Sequence, residues 1–228
     1  MSGFTIRTEN VSKVYGNGDA AQCALKQVSL SVSQGEFLSI TGESGSGKST
    51  LLNMLGLLDR PTEGTVLLND INTATLSTDA CAEIRSRKIG FIFQAYHLEA
   101  AYTAAENIQI PLLIADVDNK LHDKIIDQAL QMVGLSHKKR AIVRNLSGGE
   151  KQRIGIARAI VTNPDIILAD EPCGNLDSEN SKKIMNLLRK LADEGKTVIL
   201  VTHSKNAAQS TDRIITMRDG VIISDETP

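Results

Sequence analysis

Alternation of apolar and polar residues near the start of the chain predicts β-strands. Residues 4–6 have one polar residue between two apolar ones. Residues 28–32 alternate between apolar and polar residues throughout, and this period of two places the apolar side chains on one face of a strand. Residues 37–41 form a short apolar run that ends at a glycine, and residues 65–68 form another. We expect these stretches to be strands, with a mixed strand over residues 88–94.

Helical patterns separate and follow these strands. Residues 48–58 predict a helix that is closed by Asp59-Arg60-Pro61, because proline cannot continue it. Between about residue 95 and residue 139 the β-branched runs are few, so this stretch is predicted to be helical. Its apolar residues at helical spacing are Leu121, Ile125, Ile126, Leu130 and Val133.

The second half of the chain alternates helices with strands. In order, the predicted elements are helix 149–161, strand 165–169, helix 178–193, strand 197–202 and the strand pair 213–217 and 221–224. Asp219-Gly220 joins the last two strands and is typical of a hairpin. The alternation predicts an α/β fold with a largely parallel sheet and helices on its faces, and the helical middle is interpreted as an insertion.

Composition narrows the class of protein. Of 228 residues 41% are hydrophobic, which is enough for a substantial core, and a net charge of −2 offers no global positive field for nucleic acid. This balance leaves room for a local basic patch, but we expect no nucleic-acid partner. Cys23, Cys81 and Cys173 are widely spaced and form no Cys-x-x-Cys pair, so free thiols in a reducing compartment are expected.

The chain shows no pattern typical of secretion or of membrane insertion. Its first residues lack the basic and then apolar layout of a signal peptide. No apolar run reaches the ~18 residues that suggest a membrane-spanning helix. We expect a soluble, cytosolic protein, for which any membrane role comes through a partner.

A glycine-rich pattern stands between the predicted strand 37–41 and the predicted helix 48–58. It is a complete Walker A motif, made of Gly42, Glu43, Ser44, Gly45, Ser46, Gly47, Lys48 and Ser49, with Thr50 directly after it. Glycines let consecutive backbone N–H groups point at phosphate, and the helix N-terminus adds partial positive charge. We expect Lys48 against the β- and γ-phosphates and the Ser49 hydroxyl on Mg²⁺.

Two acids follow the predicted strand 165–169. Asp170 and Glu171 thereby stand at the carboxyl end of an apolar strand, where ligands of open α/β sheets lie. Asp170 is expected to hold Mg²⁺ through a water, and Glu171 to orient and deprotonate a water beside the γ-phosphate. With the Walker A motif, this pair predicts a nucleoside triphosphatase.

The sequence Leu-Ser-Gly-Gly-Glu at residues 146–150 indicates the family. It stands between the two motifs above, precedes a predicted helix, and resembles the signature motif of ABC ATPases. Ser147 lies at an N-cap position, and Gly148 and Gly149 leave backbone N–H groups uncovered, which gives a second anion-binding helix terminus. The resemblance implies that Ser147 and Gly149 of one copy close over ATP held by Lys48 of the other.

The resemblance covers nearly the whole chain and implies roles for further residues. Gln94 matches the Q-loop, which links Mg²⁺ and the attacking water to the helical subdomain, and His203 matches the switch histidine that contacts the γ-phosphate. Asp177 matches the D-loop at the dimer interface, and Tyr15 matches the aromatic residue that stacks on adenine. Without the family, a lone histidine after a strand favours a structural role, and the tyrosine could equally be a packing residue.

The implied catalytic residues are Glu171, His203, Gln94 and Lys48, and the implied metal ligands are Ser49, Gln94 and Asp170. The implied fold is a single ABC ATPase domain over residues 1–228. Residues 1–94 and 147–228 would form a P-loop core with a mostly parallel sheet and an N-terminal antiparallel β subdomain. Residues 95–146 would form an inserted α-helical subdomain.

The implied ligands are ATP and Mg²⁺, and the implied partners are a second copy, or a related cassette, and integral-membrane permease subunits. This places the protein at the cytoplasmic side of the inner membrane, as a peripheral subunit. Within the family, residues 15–25, 56–61 and 174–177 resemble the macrolide-exporter and lipoprotein-release group. That resemblance favours export of a peptide, lipoprotein or drug-like substrate, and leaves resistance and mechanotransmission without transport open as alternatives.

Three features depart from the group pattern. Cys173 stands where the group usually has threonine, and we expect either a tolerated small residue or a redox-sensitive thiol. Residues 98–103 lack the proline common after the Q-loop, in a segment that faces membrane subunits in relatives. Glu150 replaces the commoner glutamine.

Non-transport ABC ATPases are the alternative. DNA-repair and chromosome-segregation ATPases place a long coiled coil between Walker A and the signature, whereas Lys48 and Ser147 are 99 positions apart here, with no sustained heptads. A translation-associated factor normally carries two cassettes, and this chain has one. We therefore predict an ATP-hydrolysing transport subunit, with a cytosolic translation or DNA-repair ATPase as the alternative.

Overall fold

A computed structural model describes residues 4–228. The strands are β1 (Phe4–Tyr15), β2 (Gln22–Ser33), β3 (Phe37–Gly42), β4 (Glu63–Leu68), β5 (Ile71–Asn72), β6 (Ile89–Phe93), β7 (Ile166–Asp170), β8 (Thr197–Val201), β9 (Arg213–Arg218) and β10 (Val221–Glu226). The α-helices are α1 (Lys48–Leu55), α2 (Thr78–Lys88), α3 (Ala104–Ile114), α4 (Asn119–Met132), α5 (Gly148–Ile160), α6 (Ser178–Asp193) and α7 (Lys205–Ala208).

The chain divides into two compact units. The first unit comprises the chain up to Ala82 together with Arg189–Pro228, and the second comprises Glu83–Leu188. Both boundaries fall inside helices, α2 and α6. The predicted limits of a helical subdomain, residues 95–146, stay a prediction.

An antiparallel sheet of the first unit has the strand order β2-β1-β4-β5. Ile6 of β1 pairs with Val32 on one side and with Leu68 on the other, and all three side chains are buried. The alternation over residues 28–32 is confirmed, because Val28, Leu30 and Val32 are buried. β1 and β2 are much longer than predicted, and β-bulges interrupt their pairing.

A second set of strands in the first unit is mostly parallel. β3 pairs in parallel with β8 on one side and β9 on the other, and β9 turns through Asp219-Gly220 into the antiparallel β10. Phe37, Leu38 and Ile40 of β3 are fully buried, as is most of β8. Continuous burial is typical of parallel strands that are covered on both faces. The carboxyl end of β3 leads into the glycine-rich loop.

The second unit combines a parallel strand pair with helices. β6 and β7 pair in parallel from Ile89 opposite Ile166 to Phe93 opposite Asp170. α5 packs against β6 and against α3 and α4. α3 begins with a capping box, in which Thr103 and Glu106 satisfy each other's backbone N–H groups. The predicted helical character of the middle of the chain is confirmed by α3 and α4.

One prediction of local structure was wrong, and one helix was missed. The helix predicted over residues 48–58 ends at Leu55, because Gly56 stands at the C-cap and Leu57 takes a left-handed φ of 56°. Helix α2 was not predicted, because its sequence is largely charged and lacks an apolar stripe, Cys81 being its buried residue. The predicted α/β class with an antiparallel β region and helices is confirmed. Across residues 4–228, no helix is both long and apolar enough to cross a lipid bilayer.

Candidate functional site

The glycine-rich loop of the first unit connects β3 to α1. Gly47 has a φ of 101°, and a Cβ at this position would lie 2.6 Å from the carbonyl oxygen of Ala24. Only glycine fits both constraints, which explains why the residue before Lys48 has no side chain. Ser46 is buried beside Gly42, and its Oγ has no hydrogen-bond partner among the described residues.

Lys48 folds back over this loop. Its Nζ donates to the carbonyl oxygens of Gly42, at 2.9 Å, and of Glu43, at 2.8 Å. An ammonium group has three N–H donors. These two bonds hold the positive charge above the loop and leave one N–H group for a further acceptor. The residues of the loop tip, Glu43, Ser44 and Gly45, are exposed, and so is Ser49.

The N-terminus of α1 is suited to an anion. Among the described residues no side chain caps it, and its first turn contains no acid. The first N–H groups of a helix lack partners within the helix, and the helix dipole places partial positive charge there. Together with Lys48, this arrangement favours a bound phosphate group.

The first unit also holds Tyr15 and His203. Tyr15 ends β1, and its hydroxyl donates to Asp59 Oδ2 at 2.9 Å. His203 directly follows β8 and is exposed. Ser204 then begins α7 as its N-cap, accepting a hydrogen bond from the backbone N–H of Ala207. The exposed imidazole can therefore reach a ligand near the carboxyl end of β8.

In the second unit, three of the predicted site residues lie at the ends of adjacent strands. Phe93 pairs with Asp170, so Gln94 follows β6 beside the point where Asp170 ends β7 and Glu171 leaves it. The Asn175 side chain donates to the carbonyl oxygen of Gln94 at 3.3 Å. An amide and two carboxylates therefore share one edge of this strand pair.

The turn after β7 is conformationally unusual. Glu171 has a φ of 45°, a region that non-glycine residues rarely adopt and that costs free energy. The backbone N–H of Gly174 donates to its carbonyl oxygen at 3.0 Å and closes the turn. Burial, aided by the charge of Glu171, raises the pKa of the Cys173 thiol to about 11. Cys173 is thus protonated at neutral pH and lacks the thiolate that redox reactions need.

Helix α5 begins with a complete capping box. Ser147 Oγ accepts from the backbone N–H of Glu150 at 3.3 Å, and the Glu150 carboxylate accepts from the backbone N–H of Ser147 at 2.8 Å. Lys138 lies 3.0 Å from the same carboxylate. The Ser147 N–H and then Lys138 lower the pKa of Glu150 to about 2. Glu150 is therefore ionised at neutral pH, whereas the glutamine that is commoner at this position carries no charge.

Gly149 and Asp177 are linked through Asn180. A Cβ on Gly149 would lie 2.6 Å from the side-chain oxygen of Asn180. The backbone and side-chain N–H groups of Asn180 donate to Asp177 at 2.7 and 2.8 Å, and these bonds lower the pKa of Asp177. The start of α5 and the exposed Asp177 before α6 are thus held by one side chain.

The motifs above belong to a known family. A family model described as ABC transporter matches residues 25–174, which include the glycine-rich loop, the two acids and the Leu-Ser-Gly-Gly-Glu element. The chain belongs to the ABC transporter family. It is an ATP-binding and ATP-hydrolysing subunit of the ABC type, as the sequence predicted.

Relatives of this ABC protein include two kinds of chain. An uncharacterized ABC transporter ATP-binding protein of Methanocaldococcus jannaschii is 44% identical over 218 residues, which cover 96% of this chain and 97% of the relative. A macrolide export ATP-binding/permease protein, MacB of Agrobacterium fabrum, is 44% identical over 226 residues. Those residues cover 99% of this chain and 35% of the relative, so this chain spans about a third of the MacB length.

Solved structures of ABC cassettes have the same fold. A dimeric structure of the bacterial ABC transporter cassette MJ0796 has a TM-score of 0.90 and 45% identity, and covers 97% of this chain and 98% of its own. A second dimeric MJ0796 structure, in a post-hydrolysis state bound to ADP and Pi, also has a TM-score of 0.90, with 44% identity. Because the relatives are transporter proteins, they support the predicted transport role and not a translation or DNA-repair role.

One residue of the ABC signature helix was missed by sequence analysis. Arg158 of α5 donates to the carbonyl oxygens of Tyr96, at 2.9 Å, and of His97. Tyr96 and His97 both have left-handed φ, so the segment after Gln94 is bent and held by this guanidinium. The sequence offered one signal for this role, because Arg158 is a charged residue between Ala157 and Ala159, two small residues that are buried in α5.

The structure gathers the predicted residues of this ABC subunit in two groups. The phosphate-binding loop, Tyr15 and His203 lie in the first unit, and Gln94, Asp170, Glu171, Asp177 and the signature helix lie in the second. The roles of the individual residues stay predictions.

Proposed function

We propose that this protein powers a membrane transporter by binding and hydrolysing ATP between two copies of the chain. The observation that supports the proposal most is the start of α1. There Lys48 Nζ lies 2.9 Å from the Gly42 carbonyl oxygen, above a helix terminus that no side chain of residues 4–228 caps. The triphosphate of ATP binds there, with Tyr15 on its adenine. Glu43 to Thr50 surround the phosphates, and Lys48 neutralises the β- and γ-phosphates.

The oxygen donors predicted to hold Mg²⁺ have side chains that suit this ion. Ser49 offers an exposed hydroxyl in the first turn of α1, and Asp170 and Gln94 offer a carboxylate and an amide at adjacent strand ends. Hydroxyl, carboxylate and amide oxygens are ligands that Mg²⁺ accepts. When bound, the ion would neutralise charge that develops on the phosphates.

Glu171 carries the hydrolytic step of the proposal. Its carboxylate takes a proton from a water whose oxygen attacks the γ-phosphorus, and the bond to the β–γ bridging oxygen breaks. The products are ADP and inorganic phosphate, and one proton is released. His203 contacts the γ-phosphate, and Gln94 positions the water. The strained φ of 45° at Glu171 supports a functional constraint on its backbone.

The second copy completes each site. Ser147, Gly148 and Gly149 of one copy close over the phosphates held by the other, and Asp177 lies at the interface. The cassette dimers formed by MJ0796 support this arrangement. Closing and opening of the dimer then drive conformational change in separate permease subunits.

The proposed cargo and location follow from the relatives. MacB of Agrobacterium fabrum is a macrolide export ATP-binding/permease protein that is longer than this chain, which matches about a third of its length. We infer that this subunit works at the cytoplasmic face of the inner membrane with a permease that exports a peptide, lipoprotein or drug-like compound. Co-purification with an integral-membrane protein from detergent extracts supports this, and co-purification with ribosomes instead contradicts it.

The catalytic proposal is tested with Glu171→Gln. The variant keeps the shape of the side chain but cannot accept the proton, so hydrolysis should fall by about 10²-fold or more while ATP still binds. Phosphate release and ATP affinity are measured on the full chain. Glu179→Gln is the matched control, because Glu179 is an exposed glutamate paired with Lys183 in the same unit. Wild-type hydrolysis by Glu171→Gln would contradict the proposal.

A further inference from the structure

Tyr15 belongs to a compact polar cluster of the first unit. Its hydroxyl donates to Asp59 Oδ2 at 2.9 Å, and Lys13 Nζ donates to Asp59 Oδ1 at 2.7 Å. The same ammonium lies 4.9 Å from the centroid of the Tyr15 ring, a cation–π distance. One carboxylate thus joins the end of β1 to the segment that follows α1.

Asp59 is itself firmly held. It accepts the backbone N–H of Arg60 at 2.7 Å, and Lys13 also donates to the carbonyl oxygen of Arg60 at 2.8 Å. Although partial burial opposes it, hydrogen bonds from Lys13, the Arg60 N–H and Tyr15 keep the pKa of Asp59 below its usual value. Asp59 is therefore a fixed, ionised acceptor for the tyrosine hydroxyl.

The ring that this cluster holds is both exposed and constrained. Tyr15 is 41% exposed, and a tyrosine at that exposure ordinarily moves among several rotamers. Here the hydroxyl is bound by Asp59, and Lys13 lies over the ring. Burial and the Asp59 carboxylate raise the pKa of Tyr15, and the Thr50 hydroxyl, one residue after Ser49, acts in the opposite direction. The ring is therefore fixed next to the first turn of α1.

We propose that Asp59, with Lys13, is a positioning group that holds the Tyr15 ring as a preformed platform for the base of the bound nucleotide. The inference rests on the proposed role of Tyr15 under Proposed function. Lys13 covers one face of the ring, and the base stacks on the opposite face. A platform that is already ordered loses little rotamer freedom when the base arrives, so the cluster favours binding.

A competing explanation is that the same contacts only anchor the chain after α1 and do not position the Tyr15 ring. Loss of the Lys13–Asp59 pair could shift α1 and weaken phosphate binding instead of base binding. The two explanations differ for a ligand that has phosphates and no base. Inorganic tripolyphosphate is such a ligand, and it reports on α1 alone.

The experiment compares ATP with tripolyphosphate in calorimetric titrations of the full chain. The variants are Asp59→Asn, Tyr15→Phe, the double variant, and Tyr15→Ala. Asp70→Asn is the matched control, because Asp70 is an exposed carboxylate of the same unit paired with Arg7. Thermal melts verify folding, and Tyr15→Phe leaves the Lys13–Asp59 pair intact.

We expect Asp59→Asn and Tyr15→Phe each to weaken ATP binding by about three- to tenfold, the effect of one hydrogen bond. The double variant should bind ATP no more weakly than the weaker of the two single variants, because both changes act on the same Tyr15–Asp59 hydrogen bond. KM for ATP should rise in step while kcat changes less than twofold. Tripolyphosphate affinity should stay within twofold of the wild-type value.

Two results would overturn the inference. The first is that Asp59→Asn binds ATP with wild-type affinity while Tyr15→Ala binds ATP weakly, because Tyr15 would then act without help from Asp59. The second is an equal loss of ATP and tripolyphosphate affinity, which would make Asp59 an anchor of α1. Unchanged ATP affinity in Tyr15→Ala would instead remove the proposed stacking role of Tyr15 itself, so the two failures are distinguishable.

Discussion

Two glycine-rich helix starts in this protein are built in opposite ways. Helix α1 begins after Gly47, has no described side chain as a cap, and has a lysine but no acid in its first turn. Helix α5 has Ser147 as the N-cap of a full capping box, and its first turn contains the ionised Glu150 with Lys138 beside it.

The difference indicates different affinities for phosphate. At α1 the terminal N–H groups and the charge of Lys48 are both directed to an external anion. At α5 the serine and glutamate already satisfy N–H groups, and the carboxylate offsets the helix dipole. We therefore expect α1 to bind nucleotide by itself and α5 to contact it only after two copies have met.

The largest effect is expected at α1. Lys48→Ala removes the fixed positive charge, so hydrolysis should fall by about 10²-fold or more and ATP affinity should fall with it. Ser147→Ala should leave ATP binding to a single copy within about twofold of wild type, because only α5 changes. ATP titrations at low protein concentration measure both. Equal losses of affinity in the two variants would remove the contrast.

An intermediate effect is expected at Gly149. Gly149→Ala drives a Cβ to within 2.6 Å of Asn180, so the free energy of unfolding should fall by about 1–3 kcal/mol and hydrolysis by about tenfold. Adding Asn180→Ser makes room and should restore stability, as measured by urea unfolding. Restored stability with hydrolysis still low would indicate that this glycine serves phosphate approach, and restoration of both would indicate a packing role alone.

A smaller effect is expected from the charge of Glu150. The pKa of Glu150 in the folded protein is about 2, below the usual 4.5 of a glutamate. The ionised carboxylate therefore stabilises the fold above pH 4.5, and this contribution is lost as the pH falls from 4.5 towards 2. Glu150→Gln should cost about 1 kcal/mol at neutral pH, and the difference from wild type should shrink over that window. Unfolding free energies measured at several pH values test this. A difference that is constant from neutral pH to pH 2 would contradict the capping role.

The smallest effect is expected at Cys173. With a pKa of about 11, this thiol should label far more slowly than the exposed Cys23 at neutral pH. Cys173→Thr should change the hydrolysis rate by less than about twofold, because threonine has a similar volume. Mass spectrometry after maleimide treatment measures the labelling of each cysteine. Rapid labelling of Cys173 would revive a redox role.

The sequence predicted the parts that depend on local patterns. The alternation of residues 28–32, the loop before Lys48 and the two acids at the end of β7 carry their own signals, and the structure has each in the expected element. The contacts that position these residues have no such signal. Lys13, Tyr15 and Asp59 meet across more than forty positions, because β1 and the end of α1 are brought together by folding.

The same limit applies to the second unit. Arg158 holds the bend after Gln94 through backbone carbonyls, which no residue pattern records. The Asn180 side chain lies against Gly149 across about thirty positions of sequence, and the pKa of Glu150 is lowered because folding brings the Ser147 N–H and Lys138 to its carboxylate. Sequence motifs identify the residues that carry the chemistry of this protein. The residues that hold them in place are brought there by tertiary contacts, which the motifs do not record.

The most direct test of an ATP site shared by two copies of the chain is to mix two variants that are each inactive. Lys48→Ala lacks the α1 half of a site and Ser147→Arg lacks the α5 half, so neither should hydrolyse ATP alone. If ATP lies between two copies, each mixed dimer has one intact site. An equal mixture should then recover up to about a quarter of wild-type hydrolysis, since random pairing makes half of the dimers mixed. Activity no greater than the sum of the separate variants would contradict a site shared by two copies.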